Sequence, residues 1–417
     1  MNALVKSATI VDPKSDFHNQ TLDILIEKGT ITEIAKDIEN RKNYREIQLD
    51  NLHVSQGWFD SSVSFGEPGY EERETIENGL KTAALSGFTA VAVNSNTNPV
   101  VDNNADISFL KNKASGNAVK LYPIGALTKC SQGENLAELF DMKNAGAVAF
   151  SDYQKPIGHS NLMKLALQYA DNFDGLVMSF PQDPDISRSG VMNEDRTSTS
   201  LGLTGNPALA EELQVSRDLF LMEYTGGKLH IPTISTARSV KLIRKAKQNK
   251  LDITCSVAIH NLLFTDEALS TFNTNFKVLP PLRTPKDIET LVEGLKDDTI
   301  DMVTSDHNPI DIEHKKIEFD LAKYGTIGLE TAFGALQHKF TLKKTIELLT
   351  KGKDRFGIEA IPINVGNKAE ITLFNPSDKY VFTKEHIIST SKNSIFENFQ
   401  LIGKVYGIIA NNQIVLN

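Results

Sequence analysis

From Leu52 onward the sequence alternates eight times between a short apolar run and a helical, amphipathic stretch. The runs are VSQGWFDSS, FTAVAVNS, AVKLYPIGAL, AGAVAFSD, GLVMSF, KLHIPTIS, LDITCSVAIH and TIDMVTSD. Between them lie patterns such as ETIENGLKTAALSG, ALAEELQVSRDLFLMEYTGG and TARSVKLIRKAKQNK. Short apolar runs read as strands, and apolar residues that return every three or four positions read as helices with one buried side. Eight such units predict an α/β fold, a closed (β/α)8 TIM barrel over residues 52–363. A barrel of this kind carries its chemistry at the C-terminal ends of its strands, so only a few positions need to be searched.

Both ends of the chain break the rhythm. Runs such as ALVKSATIVD and LDILIEKGTITEIA near the start, and KAEITLFNP, KYVFTKEHII and LIGKVYGIIANNQIVLN near the end, alternate as strands separated by turns. Neither end has enough strands to bury a core alone, so residues 1–51 and 364–417 are expected to pair into one small β-sandwich flanking the barrel.

The formal net charge of -9, without a basic tract, argues against a nucleic-acid partner. No apolar stretch approaches the length needed to span a bilayer, and the start shows no basic segment leading into an apolar one, so no membrane association and a cytoplasmic location are expected. Cys130 and Cys255 are the only cysteines. They are too few for a disulfide framework or a thiolate metal cluster and are expected to act as small buried hydrophobes.

The nine histidines show no His-x-His and no HExxH spacing, so a metal site would need scattered ligands. Nucleophile-elbow, phosphate-loop and dinucleotide glycine patterns do not occur either. The strand-end rule selects Asp152, His260, Asp306 and His307. Asp306, in TSDHNP, suits a general base toward a water in the barrel mouth, and equally a turn cap. Arg283, in PPLRTP, is expected to position a loop.

The segments FGEPGYEERETIENGLKTAALSGFTAV, NTNPVVDN, GAVAFSD, GVMNE, LGLTGNPALAEE, LHIPTISTARSV, PPLRTPKD, TSDHNP and YGTIGLETA follow one another in an order and spacing that resembles the dihydroorotases of the cyclic amidohydrolase superfamily. The resemblance runs along nearly the whole chain. It implies a barrel whose members hold one or two zinc ions by a His-x-His after the first strand, histidines after strands five and six, and an aspartate after strand eight. The metal activates a water toward a cyclic amide. Here the family's HVHFREPG corresponds to SVSFGEPG, which puts Ser62 and Ser64 at the two histidines and Gly66 at the arginine that grips the substrate carboxylate. SFPQD puts Ser179, and HIPTIST puts Thr233, at the other two histidines. Asp152 is followed by Tyr153 where relatives carry Asp-Asp-Gly. Leu279 and Ile310 replace polar substrate residues, while Asn96 and Asp306 match.

A neutral hydroxyl is a poor zinc ligand beside imidazole or carboxylate. The resemblance therefore implies a non-catalytic homologue of pyrimidine biosynthesis, with neither metal nor cofactor and with Asp306 left as a vestigial general-base position. It implies a structural or regulatory subunit with aspartate transcarbamoylase as partner, and a homo-oligomer, a dimer, is expected. The hydroxyls either fill a wet barrel mouth or serve, with Asp306 and Asn96, as donors to an anionic or sugar-like ligand. The alternative is an active zinc hydrolase of cyclic amides, either a dihydroorotase or an enzyme of changed specificity.

Overall fold

The computed structural model describes residues 1–417. Eight parallel strands form the barrel: β1 (Trp58–Val63), β2 (Phe88–Val93), β3 (Lys120–Gly125), β4 (Ala149–Phe150), β5 (Leu176–Met178), β6 (Lys228–Ile231), β7 (Ile253–Ala258) and β8 (Met302–Thr304). Each pairs with its sequence neighbour from β1 through to β8. The ring is completed just beyond β1 and β8, where Ser64 N–H donates to the His307 carbonyl at 2.7 Å and Val63 bridges His307 in parallel. Phe59, Ala90, Ile124, Ala149, Met178 and Met302 fill the barrel interior with Phe356.

The main outer helices are α1 (Ile76–Leu85), α2 (Asn104–Lys113), α3 (Leu139–Ala145), α4 (Ser160–Asp171), α5 (Ala208–Thr225), α6 (Ala237–Gln248), α7 (Pro285–Lys296) and α8 (Leu342–Thr350). Their starts are encoded locally. The hydroxyls of Thr75, Thr236, Thr284 and Thr341 accept backbone N–H bonds at the N-termini of α1, α6, α7 and α8. Pro285 occupies the first turn of α7, where a missing N–H costs nothing. Leu80, Leu110, Met142, Leu162, Val215, Ile243, Leu291 and Ile346 carry the apolar sides of the helices into the layer around the strands.

Strands from both termini hydrogen-bond into one eight-stranded flanking sheet. His53–Gln56 joins its halves, lying parallel to Ala3–Ile10 and antiparallel to Ile371–Val381. Two details differ from the sequence reading. The run VSQGWFDSS is two strands, because the sheet extends to Gln56 and the barrel begins at Trp58; at Gly57 between them, a Cβ would lie 2.1 Å from the Thr89 hydroxyl oxygen. The flanking domain is also one continuous hydrogen-bonded path, around a core that includes Ile24, Val54, Ile371 and Ile409. Cys255 is buried, but Cys130 is exposed, because it lies in the short turn Lys129–Ser131 beyond the end of β3 and not in a strand or helix of the core. No helix is long and apolar enough to cross a membrane.

Candidate active site

The barrel mouth centres on Asp306, which follows β8 and is buried. Its Oδ1 accepts the Ser62 hydroxyl at 3.2 Å and the Tyr153 phenol at 3.1 Å. Asn94, just past β2, donates one amide N–H to Ser62 Oγ (3.1 Å) and the other to Ser64 Oγ (3.2 Å). Burial raises the Asp306 carboxyl to about 7, against the opposing pull of the Tyr153 and Ser62 hydrogen bonds. Burial, and then the neighbouring Asp306, holds the Tyr153 phenol well above its ordinary range, so it stays a neutral donor. Below this layer Asp60 fixes β1 against β8, accepting N–H groups from Ser62 (3.1 Å) and Ser305 (2.8 Å) as well as the Thr304 hydroxyl.

The remaining positions sit apart from this network. Ser179, after β5, donates outward to Asp218 of α5 at 2.6 Å, and Arg217 binds the other carboxylate oxygen at 2.6 Å. Thr233, after β6, has φ of 49°, and its N–H reaches Ser256 Oγ at 3.2 Å. Asp306 also has positive φ, 46°. A β-branched residue in the left-handed region is strained by roughly 1–2 kcal/mol. Thr233→Gly is therefore expected to raise stability by about 1 kcal/mol in urea unfolding; a loss of stability would show that its side chain contributes more than the strain removes.

Asp152, selected by the strand-end rule, faces away from the mouth. Its carboxylate accepts the Leu127 and Thr128 N–H groups (2.9 and 3.0 Å) and the Thr128 hydroxyl, so it caps the loop after β3. The residue of this pair that turns inward is Tyr153. Gly66 is enclosed by backbone: a Cβ there would lie 1.9 Å from the Tyr70 carbonyl oxygen. The loop that closes on it is tied by Tyr70 N–H to Gly66 O and by Gly66 N–H to Glu74 O, both 2.9 Å.

Leu279 and Ile310 are buried, with the Leu279 carbonyl accepting Gln154 Nε2 at 2.9 Å and the Ile310 N–H donating to Asn393 Oδ1 at 3.1 Å. Asn96 Oδ1 and both ring nitrogens of His260 are buried without a protein partner. Burial lowers His260 to about 3 and His307 to about 4, so both are neutral. His307 Nδ1 accepts the Gly328 N–H at 3.2 Å, which places its proton on Nε2. Arg283 is buried and clamps two loops, donating to Asn193 Oδ1 (2.8 Å) and the Asn206 carbonyl (2.7 Å).

Asp60, Asn94 and Tyr153 organise the mouth, Asp218 anchors Ser179 outside it, and the sequence marks none of the four as a site residue. Asn94 was the most accessible of them, since it stands near the end of FTAVAVNS where strand-end chemistry belongs.

The donor set does not suit zinc. No three His, Cys, Asp or Glu side chains gather where they could hold a metal ion. The one inward carboxylate, Asp306, faces a phenol and a hydroxyl on the same oxygen instead of imidazoles.

A closed parallel barrel with a flanking β-domain built from both termini, and its polar cluster at the C-terminal mouth, defines the amidohydrolase type of TIM barrel. Solved structures agree on the fold. An L-hydantoinase (dihydropyrimidinase) from Arthrobacter aurescens superposes with a TM-score of 0.84 at 20% identity, covering 99% of this chain and 97% of the other. A D-hydantoinase superposes at 0.85 and 19%, covering 100% and 95%.

Within that type, the chain belongs to the dihydroorotase family. A family model described as Dihydro-orotase-like matches residues 53–239. The dihydroorotase of Acetivibrio thermocellus is 42% identical, covering 99% of this chain and 98% of the relative. That of Ruminiclostridium cellulolyticum is 40% identical, covering 100% and 99%.

Proposed function

We propose that this chain is a dihydroorotase homologue of pyrimidine biosynthesis that does not itself hydrolyse dihydroorotate and acts as a structural or regulatory subunit. Full-length similarity to proteins named dihydroorotase supports the pathway. The observation that carries the non-catalytic reading is the Ser62–Asp306–Tyr153 cluster, where a hydroxyl and a phenol hydrogen-bond directly to the carboxylate at the end of β8 that would serve a metal-activated water. Gly66 supports it from the substrate side: the backbone of Tyr70 occupies the space through which any longer side chain would leave. Aspartate transcarbamoylase is the partner that family resemblance suggests for such a subunit.

The test pairs metal analysis with an assay. Protein purified without chelator and then loaded with zinc and dialysed is expected to retain far less than one metal per chain and to leave dihydroorotate unhydrolysed. Stoichiometric zinc together with ring hydrolysis would overturn the reading and establish the active hydrolase. Retention of the transcarbamoylase from the native cell on immobilised protein would identify the partner.

A further inference from the structure

We infer that the cavity between α1 and the flanking sheet binds a small organic ammonium ion, an amine carried on an apolar or aromatic stem. The cavity holds about 350 Å³, within the range of roughly 300–1,000 Å³ typical of small-molecule sites. Its walls come from the C-terminal end of α1, from residues 329–334 after β8, and from the flanking strands Ile371–Val381 and Gln400–Ala410 with the helical turn Lys384–His386 between them. None of its lining residues belongs to the hydrogen-bonded cluster of the barrel mouth, so the two sites are separate.

Part of the wall is aromatic. Phe333, Tyr380, Phe382 and His386 line it, and the His386 ring lies 5.1 Å from Tyr380 and 5.9 Å from Phe382, so three of the four rings form one packed group. Such rings pack against an apolar stem and attract a cation over their faces. The charges select the sign of the ligand: three carboxylates, Glu330, Asp378 and Glu385, stand against one ammonium, Lys404. Asp378 and Glu385 are exposed and form no ion pair; Lys384, beside Glu385 in sequence, turns to Glu397 at 3.6 Å. Glu330 lies deeper, its side chain 4% exposed. Its Oε1 accepts the N–H and hydroxyl of Ser389 at 3.1 and 2.5 Å, while Oε2 has no hydrogen-bond partner. His307 Nδ1, 4.0 Å away, already accepts the Gly328 N–H and offers Oε2 no proton. Burial, and then the charges of Asp378 and Glu330, push the Tyr380 phenol up to about 12, so both carboxylates act on a ring that lines the cavity.

The end of α1 adds to the same sign. Leu85 and Ser86 bring its C-terminus to the cavity, and no basic residue stands in the last turn to offset the partial negative charge found there. The Ser86 hydroxyl is also buried without a partner. An ammonium group donates up to three hydrogen bonds and accepts none, which suits acceptors such as Glu330 Oε2 and Ser86 Oγ. An anion would meet three carboxylates and a helix C-terminus, with Lys404 alone to offset them. Trp58, the only tryptophan, stacks on Phe333 with ring centroids 4.9 Å apart, so the start of β1 senses what occupies the cavity. The site stands whether or not the barrel hydrolyses anything.

Titration calorimetry of the full chain with phenethylamine at low salt tests the site, with 3-phenylpropanoate, an anion of similar size, as the comparison. The amine is expected to bind saturably with a Kd of about 1 mM or below and at least about 10-fold more tightly than the anion, and to change Trp58 emission over the same concentrations. Added salt should weaken it. The paired changes Asp378→Asn and Glu385→Gln, both at exposed positions, should leave the urea midpoint unchanged and weaken the amine at least about 5-fold. Glu330→Gln keeps an oxygen for Ser389 and removes the charge, and should weaken it about 10-fold or more. A wild type with no saturable binding up to about 20 mM amine would overturn the proposal. So would equal affinity for amine and anion, or amine binding as tight in the exposed double variant as in the wild type.

Discussion

Replacing Gly66 with arginine, the residue that family resemblance places there, is expected to destabilise the protein by about 3 kcal/mol or more and to restore no grip on a carboxylate. The reason lies in backbone, not charge. A Cβ on residue 66 would lie 1.9 Å from the Tyr70 carbonyl oxygen and 3.2 Å from that of Glu74, and neither is the movable end of a side chain. Relief requires opening the loop that the two 2.9 Å backbone hydrogen bonds hold over this residue. Gly66→Ala is the informative control: it adds the same Cβ without the guanidinium, so it should account for most of the loss. Urea unfolding of both variants supplies the comparison. An arginine variant as stable as the wild type would mean that residues 66–74 swing aside easily and that the substrate pocket is closed only in the ground state. The family position has therefore lost more than a side chain, since the backbone has taken the space.

How much of this was legible in the sequence depends on whether local pattern or long-range pairing decides each feature. Buried parallel strands write themselves as apolar runs, and threonine caps mark helix starts, so all eight strand-helix units could be placed. The boundary at Gly57 was not legible, because one glycine inside an apolar run looks the same whether the run continues or ends. The choice between Asp152 and Tyr153 failed for a different reason. β4 has only two residues, Ala149 and Phe150, too few to establish which side of the barrel the following residues face. Ser179 and Asp218 are 39 positions apart and Tyr153 and Asp306 are 153 apart. No local period reports such pairs. The hydroxyls at Ser62, Ser64, Ser179 and Thr233 are readable at once; the hydrogen-bond partners that Ser62, Ser64 and Ser179 take are not.

Asp306→Asn is expected to stabilise the protein at pH 8 and to have almost no effect at pH 4. In the folded chain the Asp306 carboxyl is raised to about 7 by burial, against an ordinary value of 3.8. Below that ordinary value both states hold the proton and the residue contributes nothing to the pH dependence. As pH climbs from about 4 to 7 the unfolded chain releases its proton while the folded chain keeps it, so the folded state binds more protons and stability falls. With 1.36 kcal/mol per unit, the cost approaches roughly 4 kcal/mol above pH 7. Asparagine keeps the oxygen that accepts from Ser62 and Tyr153 and removes the charge, so the difference between variant and wild type in urea unfolding should grow between pH 4 and 7 and then level. A flat difference would mean that the carboxylate is better solvated than its burial implies. The sign carries the functional weight. A carboxylate serving as a zinc ligand would be held as the anion, and losing it would destabilise the zinc-loaded protein at pH 8. A gain in stability at pH 8 in the presence of zinc is what an aspartate hydrogen-bonded to a serine and a tyrosine predicts.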